Sequence, residues 1–159
     1  MAEKQKCIIT LSTRSAGSTA LYKYLESLPN INSVDFGRNR NIQTKNRETF
    51  YWVNAAALRG HHKPQRGTKA GGYISYALAK EHMQNLLIDN LGSGYAVPSN
   101  DEELIFEGWR SLCNNFGPVF VEKSPGHLYR WAAIEMILEC IKKIPDIEFR
   151  LIGLYRNPV

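Results

Sequence analysis

Cysteine is scarce: Cys7, Cys113 and Cys140 are the whole set, and no two stand as C-x-x-C. So odd and scattered a set excludes a disulfide framework and a zinc knuckle, and it predicts buried thiols. Adjacent His61 and His62 cannot both point into one site from a regular helix, so no metal is expected. Long apolar runs are missing as well. After MAEKQK only about five strongly apolar residues precede polar ones, too few for the core of a signal peptide and far too few for a membrane span. A cytoplasmic chain with no membrane partner is the expectation. Acidic residues nearly vanish between Arg38 and Lys69, where Glu48 stands alone among Arg38, Arg40, Lys45, Arg47, Arg59, Lys63, Arg66 and Lys69. The whole chain carries a formal charge of +5, and that stretch is expected to face an anion: nucleic acid, a phosphorylated cofactor, or a sulfated or phosphorylated acceptor. Its aromatic residues Phe50, Tyr51 and Trp52 are clustered instead of interleaved with the charges, which argues against a stacking platform for nucleic acid.

At 159 residues and 43% hydrophobic content the sequence fits a single domain, 1–159, with a real core. Cys7 to Leu11 is short, apolar and β-branched, as a strand is. Leu21, Tyr24, Leu25 and Leu28 then recur with the spacing of one helix face, so a helix is expected to open at Gly17 to Thr19. A short strand is expected over Ile31 to Phe36, and helices over Phe50 to Leu58 and Tyr73 to Asn90, the last with Ala77, Met83, Leu86 and Leu87 inward. A third runs to about Asn115, capped by Ser99 with Glu102. Val119 to Val121 reads as a buried parallel strand. His127 to Ile144 reads as a long helix with Leu128, Trp131, Ile134, Leu138 and Ile141 on its apolar face, and Phe149 to Tyr155 as a last strand. Alternating strands and helices predict an α/β fold, a mainly parallel central sheet flanked by helices.

Chemistry-bearing residues fall where three of these strands end. After the first come Arg14, Ser15, Ala16, Gly17, Ser18 and Thr19 at a helix N-terminus, where unpartnered amides, the positive end of the helix dipole, hydroxyls and one guanidinium suit a phosphate or sulfate. The pattern S-x-x-x-x-G-S-T departs from the G-x-x-x-x-G-K-[ST] of nucleotide triphosphatases, with Ser18 in place of the Lys. After the middle strand come Glu122, Lys123, Ser124, Pro125, Gly126 and His127; after the last, Arg156. Ligands of parallel sheets bind at that edge, so the three groups are expected to converge.

TRSAGSTAL, VEKSPGHL and LIGLYRNPV, in that order, resemble three motifs of the sulfotransferases that use 3′-phosphoadenosine 5′-phosphosulfate (PAPS): the 5′-phosphosulfate loop, the E-K-[ST]-P or K-T-H-L segment, and the R-[ND]-P turn that begins the 3′-phosphate site. The resemblance spans nearly the whole chain and implies the P-loop-like sulfotransferase fold. It also implies transfer of a sulfuryl group from PAPS to a hydroxyl or amine of an acceptor, a saccharide or small molecule. By the same resemblance Arg14 through Thr19 hold the 5′-phosphosulfate and Arg156 the 3′-phosphate, Lys123 stabilises the bridging oxygen, and the base is Glu122 or His127, with Asp35 or Glu48 if the heparan-type pattern holds. Two departures stand out: Ser15 replaces the usual loop Lys, leaving Arg14 as the nearest cation, and the sequence stops before the Ser that completes the 3′-phosphate site, which predicts a C-terminally truncated domain. A P-loop small-molecule kinase and a polyanion-binding module built on residues 38–69 are the rival classes.

Overall fold

The computed structural model describes residues 4–34, 48–61 and 74–156. The end of the expected second strand, Asp35, and all of the basic stretch except Glu48 to His61 lie outside them, as do Asn157 to Val159. Four strands form one all-parallel sheet: β1 (Gln5–Ser12), β2 (Ile31–Asn32), β3 (Val119–Lys123) and β4 (Ile147–Leu154), ordered β2-β3-β1-β4. The helices are α1 (Ser18–Glu26), α2 (Tyr51–Leu58), α3 (Tyr76–Leu91), α4 (Asp101–Asn115) and α5 (Trp131–Lys143). The α/β class with a parallel sheet is therefore as the alternation of patterns predicts. Among the described residues no helix is long and apolar enough to cross a membrane.

The strand order decides where a ligand can sit. From β1 the chain crosses over β3 to reach β2, whereas from β3 it crosses over β1 to reach β4. Right-handed crossovers running in opposite directions put α1 and α5 on opposite faces of the sheet. The connections of neighbouring β1 and β3 thus diverge at their carboxyl ends, the edge at which open parallel sheets bind their ligands.

On the α5 side the core is aromatic. Every residue of α2 is buried, consistent with a helix that is apolar all round. Tyr51, Trp52, Trp109 and Phe120 pack with ring centroids 4.7–5.3 Å apart. The Tyr51 hydroxyl donates to the Leu104 carbonyl of α4 at 2.8 Å. Gly108 is required there, because a Cβ would lie 2.8 Å from both the Tyr51 hydroxyl and a Leu87 methyl.

Three local expectations are corrected. Asn100, not Ser99, caps α4: its side chain accepts from the Glu103 amide at 2.8 Å, and Asp101, Glu102 and Glu103 then fill the first turn, where the dipole favours acid. Ala77 is exposed and Ala79 takes its place inside α3, whose N-cap is Ser75. The long helix does not begin at His127. Pro125 to His127 is a 3₁₀ turn, Arg130 is extended, and α5 starts at Trp131. It also buries a different face: Ala132, Ala133, Met136, Ile137 and Cys140 point inward, and Trp131, Leu138 and the preceding Leu128 are exposed. Small residues let α5 close on α2, and the larger apolar side chains that share the helical spacing are left outside.

Candidate functional site

Ser12 ends β1 buried, and the chain then turns outward. The Thr13 amide donates to the Leu154 carbonyl at 3.4 Å and the Ala16 amide to the Thr13 carbonyl at 3.4 Å, closing a turn in which Ser15 has φ 58°. Gly17 follows with φ 89°, the left-handed region that glycine enters freely, and a Cβ there would meet nothing within 4 Å. Dihedral preference, not crowding, fixes glycine at this position, and the space before it is open. Gly17 also leaves α1 without a side-chain cap, so the leading amides are offered outward, while its carbonyl accepts from Ala20 and Leu21 at 3.0 and 3.1 Å. Thr13, Arg14, Ser15 and Gly17 are exposed, Ala16 and Thr19 are half-buried, and Ser18 is buried. The Arg14 amide donates to the Tyr129 hydroxyl at 2.7 Å, which ties this loop to the segment leading into α5.

β3 delivers the second group. Thr10 of β1 is in register with Lys123, and Ile9 with Glu122, so both charges leave the sheet beside the loop. Consecutive strand residues point to opposite faces, and these two do so with separate partners. Lys123, 1% exposed, donates from Nζ to Thr19 Oγ1 at 3.2 Å and pairs with Glu48 Oε1 at 3.3 Å. Its ammonium is thus enclosed between the first turn of α1 and a carboxylate. Burial pushes the Glu48 carboxyl above its usual range, with the Lys123 ammonium opposing the shift.

Glu122 faces the α2 side, 1% exposed. Its Oε1 accepts from Thr49 Oγ1 at 2.7 Å and from Ser124 Oγ at 2.5 Å. Those hydroxyl oxygens in turn accept backbone amides, Thr49 from Tyr51 at 3.1 Å and Ser124 from Phe50 at 3.0 Å. His127 is fully buried with Nδ1 3.6 Å from Glu122 Oε2, and neither ring nitrogen has a hydrogen-bond partner among the described residues. Burial lowers its pKa, although the Glu122 carboxylate works the other way, so the ring is neutral near pH 7.

Of the residues singled out in the sequence, the structure brings together Thr19, Lys123 and Glu48, with Gly17 and Ser18 next to Thr19 along the chain. Arg156 stands two residues past Leu154, the register partner of Ser12, at the same sheet edge and exposed. Glu122 and His127 form a separate buried group on the other side of β3. Asp35 lies outside the described residues. Tyr129 and Thr49 carry no sequence signal of their own: a tyrosine in an apolar-looking run and a threonine ahead of a helix are both ordinary, and only the folded chain shows what they bond. Among the described residues no three His, Cys, Asp or Glu side chains are placed to hold a metal ion. No family model, no curated protein and no solved structure matches this chain.

Proposed function

We propose that the chain carries the core of a PAPS-dependent sulfotransferase, a P-loop-like sulfotransferase fold acting on a hydroxyl or amine of an acceptor. The observation that carries this reading is Lys123, a fully enclosed ammonium held 3.2 Å from Thr19 at an uncapped helix N-terminus and 3.3 Å from Glu48. An anion cradle, a cation and a carboxylate so arranged are what group transfer between oxygens asks of a protein.

The residues fit the donor. Uncapped α1, the open space at Gly17 and the hydroxyl of Thr19 suit a doubly anionic 5′-phosphosulfate, with Arg14 at the loop's rim and Arg156 along the edge for the 3′-phosphate. PAPS supplies an activated sulfuryl group: the acceptor's oxygen or nitrogen bonds to sulfur as the sulfur–oxygen bond to the 5′-phosphate breaks, leaving 3′-phosphoadenosine 5′-phosphate (PAP) and releasing the acceptor's proton. Lys123 balances the charge left on the departing phosphate oxygen, and Glu48 takes the proton. Its raised pKa brings a carboxylate closer to the working pH, which is where general bases are most effective. Glu122 and His127 are set aside as bases here, because both are sealed on the other side of β3.

The test is transfer of labelled sulfate from PAPS, and of labelled phosphate from magnesium ATP, to a panel of saccharide and phenolic acceptors. Sulfate transfer that disappears in Lys123→Ala supports the reading. Phosphate transfer instead would replace it with the kinase class, and retention of full sulfate transfer by Lys123→Ala would remove the lysine from the mechanism.

A further inference from the structure

We propose that Glu122 is a positioning residue: it holds the segment before α2 so that Glu48 meets Lys123. This rests on the sulfotransferase reading for its catalytic consequence, but its structural content stands apart from it. Glu48 and Thr49 are consecutive, and so are Glu122 and Lys123. The two pairs meet residue by residue across β3: Glu48 reaches Lys123 at 3.3 Å, and Thr49 reaches Glu122 at 2.7 Å. Between them the backbone is not at rest. Phe50 has φ 53°, a left-handed conformation that is unfavourable for a residue with a side chain. The amides on either side of that bend, Phe50 and Tyr51, are taken by Ser124 Oγ and Thr49 Oγ1, the same two hydroxyls that donate to Glu122 Oε1. One buried carboxylate oxygen therefore closes a ring of four hydrogen bonds around the bend. Gly126 completes the seat, since a Cβ there would press on the Phe50 ring at 3.3 Å. Remove the acceptor and two buried hydroxyls lose their partner, the bend relaxes, and Glu48 is released from the Lys123 ammonium.

The ring needs an acceptor at Oε1 and not a charge. A glutamine offers the same acceptor, and its amide nitrogen would face the neutral ring of His127. Glu122→Gln and Glu122→Ala both delete the Glu122 charge, which with Lys123 and Arg14 is what Glu48 faces. The two variants share the loss of charge and differ in hydrogen bonding and in buried volume, and the near-isosteric Thr49→Val separates the two. Thr49→Ser and Thr49→Val make the same comparison with Glu122 untouched, and serve if Glu122→Ala does not fold.

The experiment is a carbon-13 carboxyl NMR titration of Glu48 in the four variants, with kcat and KM for PAPS measured alongside. In Glu122→Ala and Thr49→Val the Glu48 midpoint is expected to move away from that of the conservative partner, toward an exposed glutamate. kcat is expected to fall about 100-fold, as misplacement of a reacting group does, with KM for PAPS held within about threefold because the loop after β1 is untouched. Glu122→Gln and Thr49→Ser should restore both. A Glu48 midpoint identical within each pair would overturn the positioning role, as would Glu122→Gln behaving like Glu122→Ala while Thr49→Ser behaves like Thr49→Val. The expected titrations with no sulfate transfer by the parent chain would support the positioning role and sink the sulfotransferase reading instead.

Discussion

The ends of β1 and β3 lie side by side in the sheet and handle charge in opposite ways. After β1 the chain is exposed and offers backbone: uncapped amides, an open left-handed glycine and a guanidinium at the rim. After β3 it is sealed, and the work falls to side chains whose partners were fixed on folding, Lys123 on one side and Glu122 on the other. An exposed backbone cradle of this kind would bind an anion of suitable shape without desolvating a buried charge of its own. The buried Lys123 ammonium is held by Thr19 and Glu48, and a charge so enclosed acts more strongly on a neighbouring oxygen than one in water.

The largest effect that sharpens this contrast is expected from Lys123→Ala. Removing Lys123 leaves half-buried Glu48 without its cation, so unfolding free energy should fall by about 1–3 kcal/mol, read from urea melts, and sulfate transfer by about 10²–10³-fold. Glu48→Gln is the complement. Transfer should drop by about 10²-fold or more with PAP binding retained, and the acid limb of kcat/KM should vanish. In the parent chain that limb should lie above the ordinary carboxylate range, because the raised pKa keeps Glu48 protonated to higher pH. A limb at the usual carboxylate position would break the assignment of the base.

On the β1 side, Gly17→Ala forces a side chain into a left-handed conformation at φ 89° with no clash to relieve. Stability should fall by only about 1–2 kcal/mol, while PAP affinity falls further because the leading amides are re-aimed. His127 gives a smaller and pH-dependent signal. Its folded pKa is depressed, so the unfolded chain binds the proton first as pH drops through about 6.5, and stability must fall with pH below that point. Half-buried His82 is shifted the same way by burial and adds to the slope. His127→Gln should flatten the dependence of the urea midpoint on pH between about 6.5 and 5; an unchanged slope would mean that the ring is not buried neutral. Trp131→Ala should change stability by less than about 0.5 kcal/mol, the smallest effect of the series, since the side chain is 72% exposed.

Residues whose roles are local were legible in the sequence. The strand, loop and helix from Cys7 onward, the buried run before Glu122 and the opposite directions of Glu122 and Lys123 follow from periodicity and alternation, and the structure has them. What was not legible depends on which surface meets which. Both faces of α5 carry residues at helical spacing, and the alanines won because α2 approaches closely, a fact of packing that Trp131 and Leu138 conceal in the sequence. Ser99 and Asn100 are both good caps, and only the phase of α4 chooses between them. The link from Glu48 to Lys123 spans |i−j| of 75 residues and runs through Thr49, whose side chain announces nothing until β3 is beside it.

On the sulfotransferase reading proposed above, the carboxyl ends of β1 and β3 take a 3′-phosphorylated adenosine nucleotide. Thermal melts of the chain with PAP, ATP and AMP at equal concentration test it most directly. Stabilisation by PAP well above that by ATP or AMP, and lost in Gly17→Ala, is the predicted result. Equal stabilisation by all three, or by none, would contradict it.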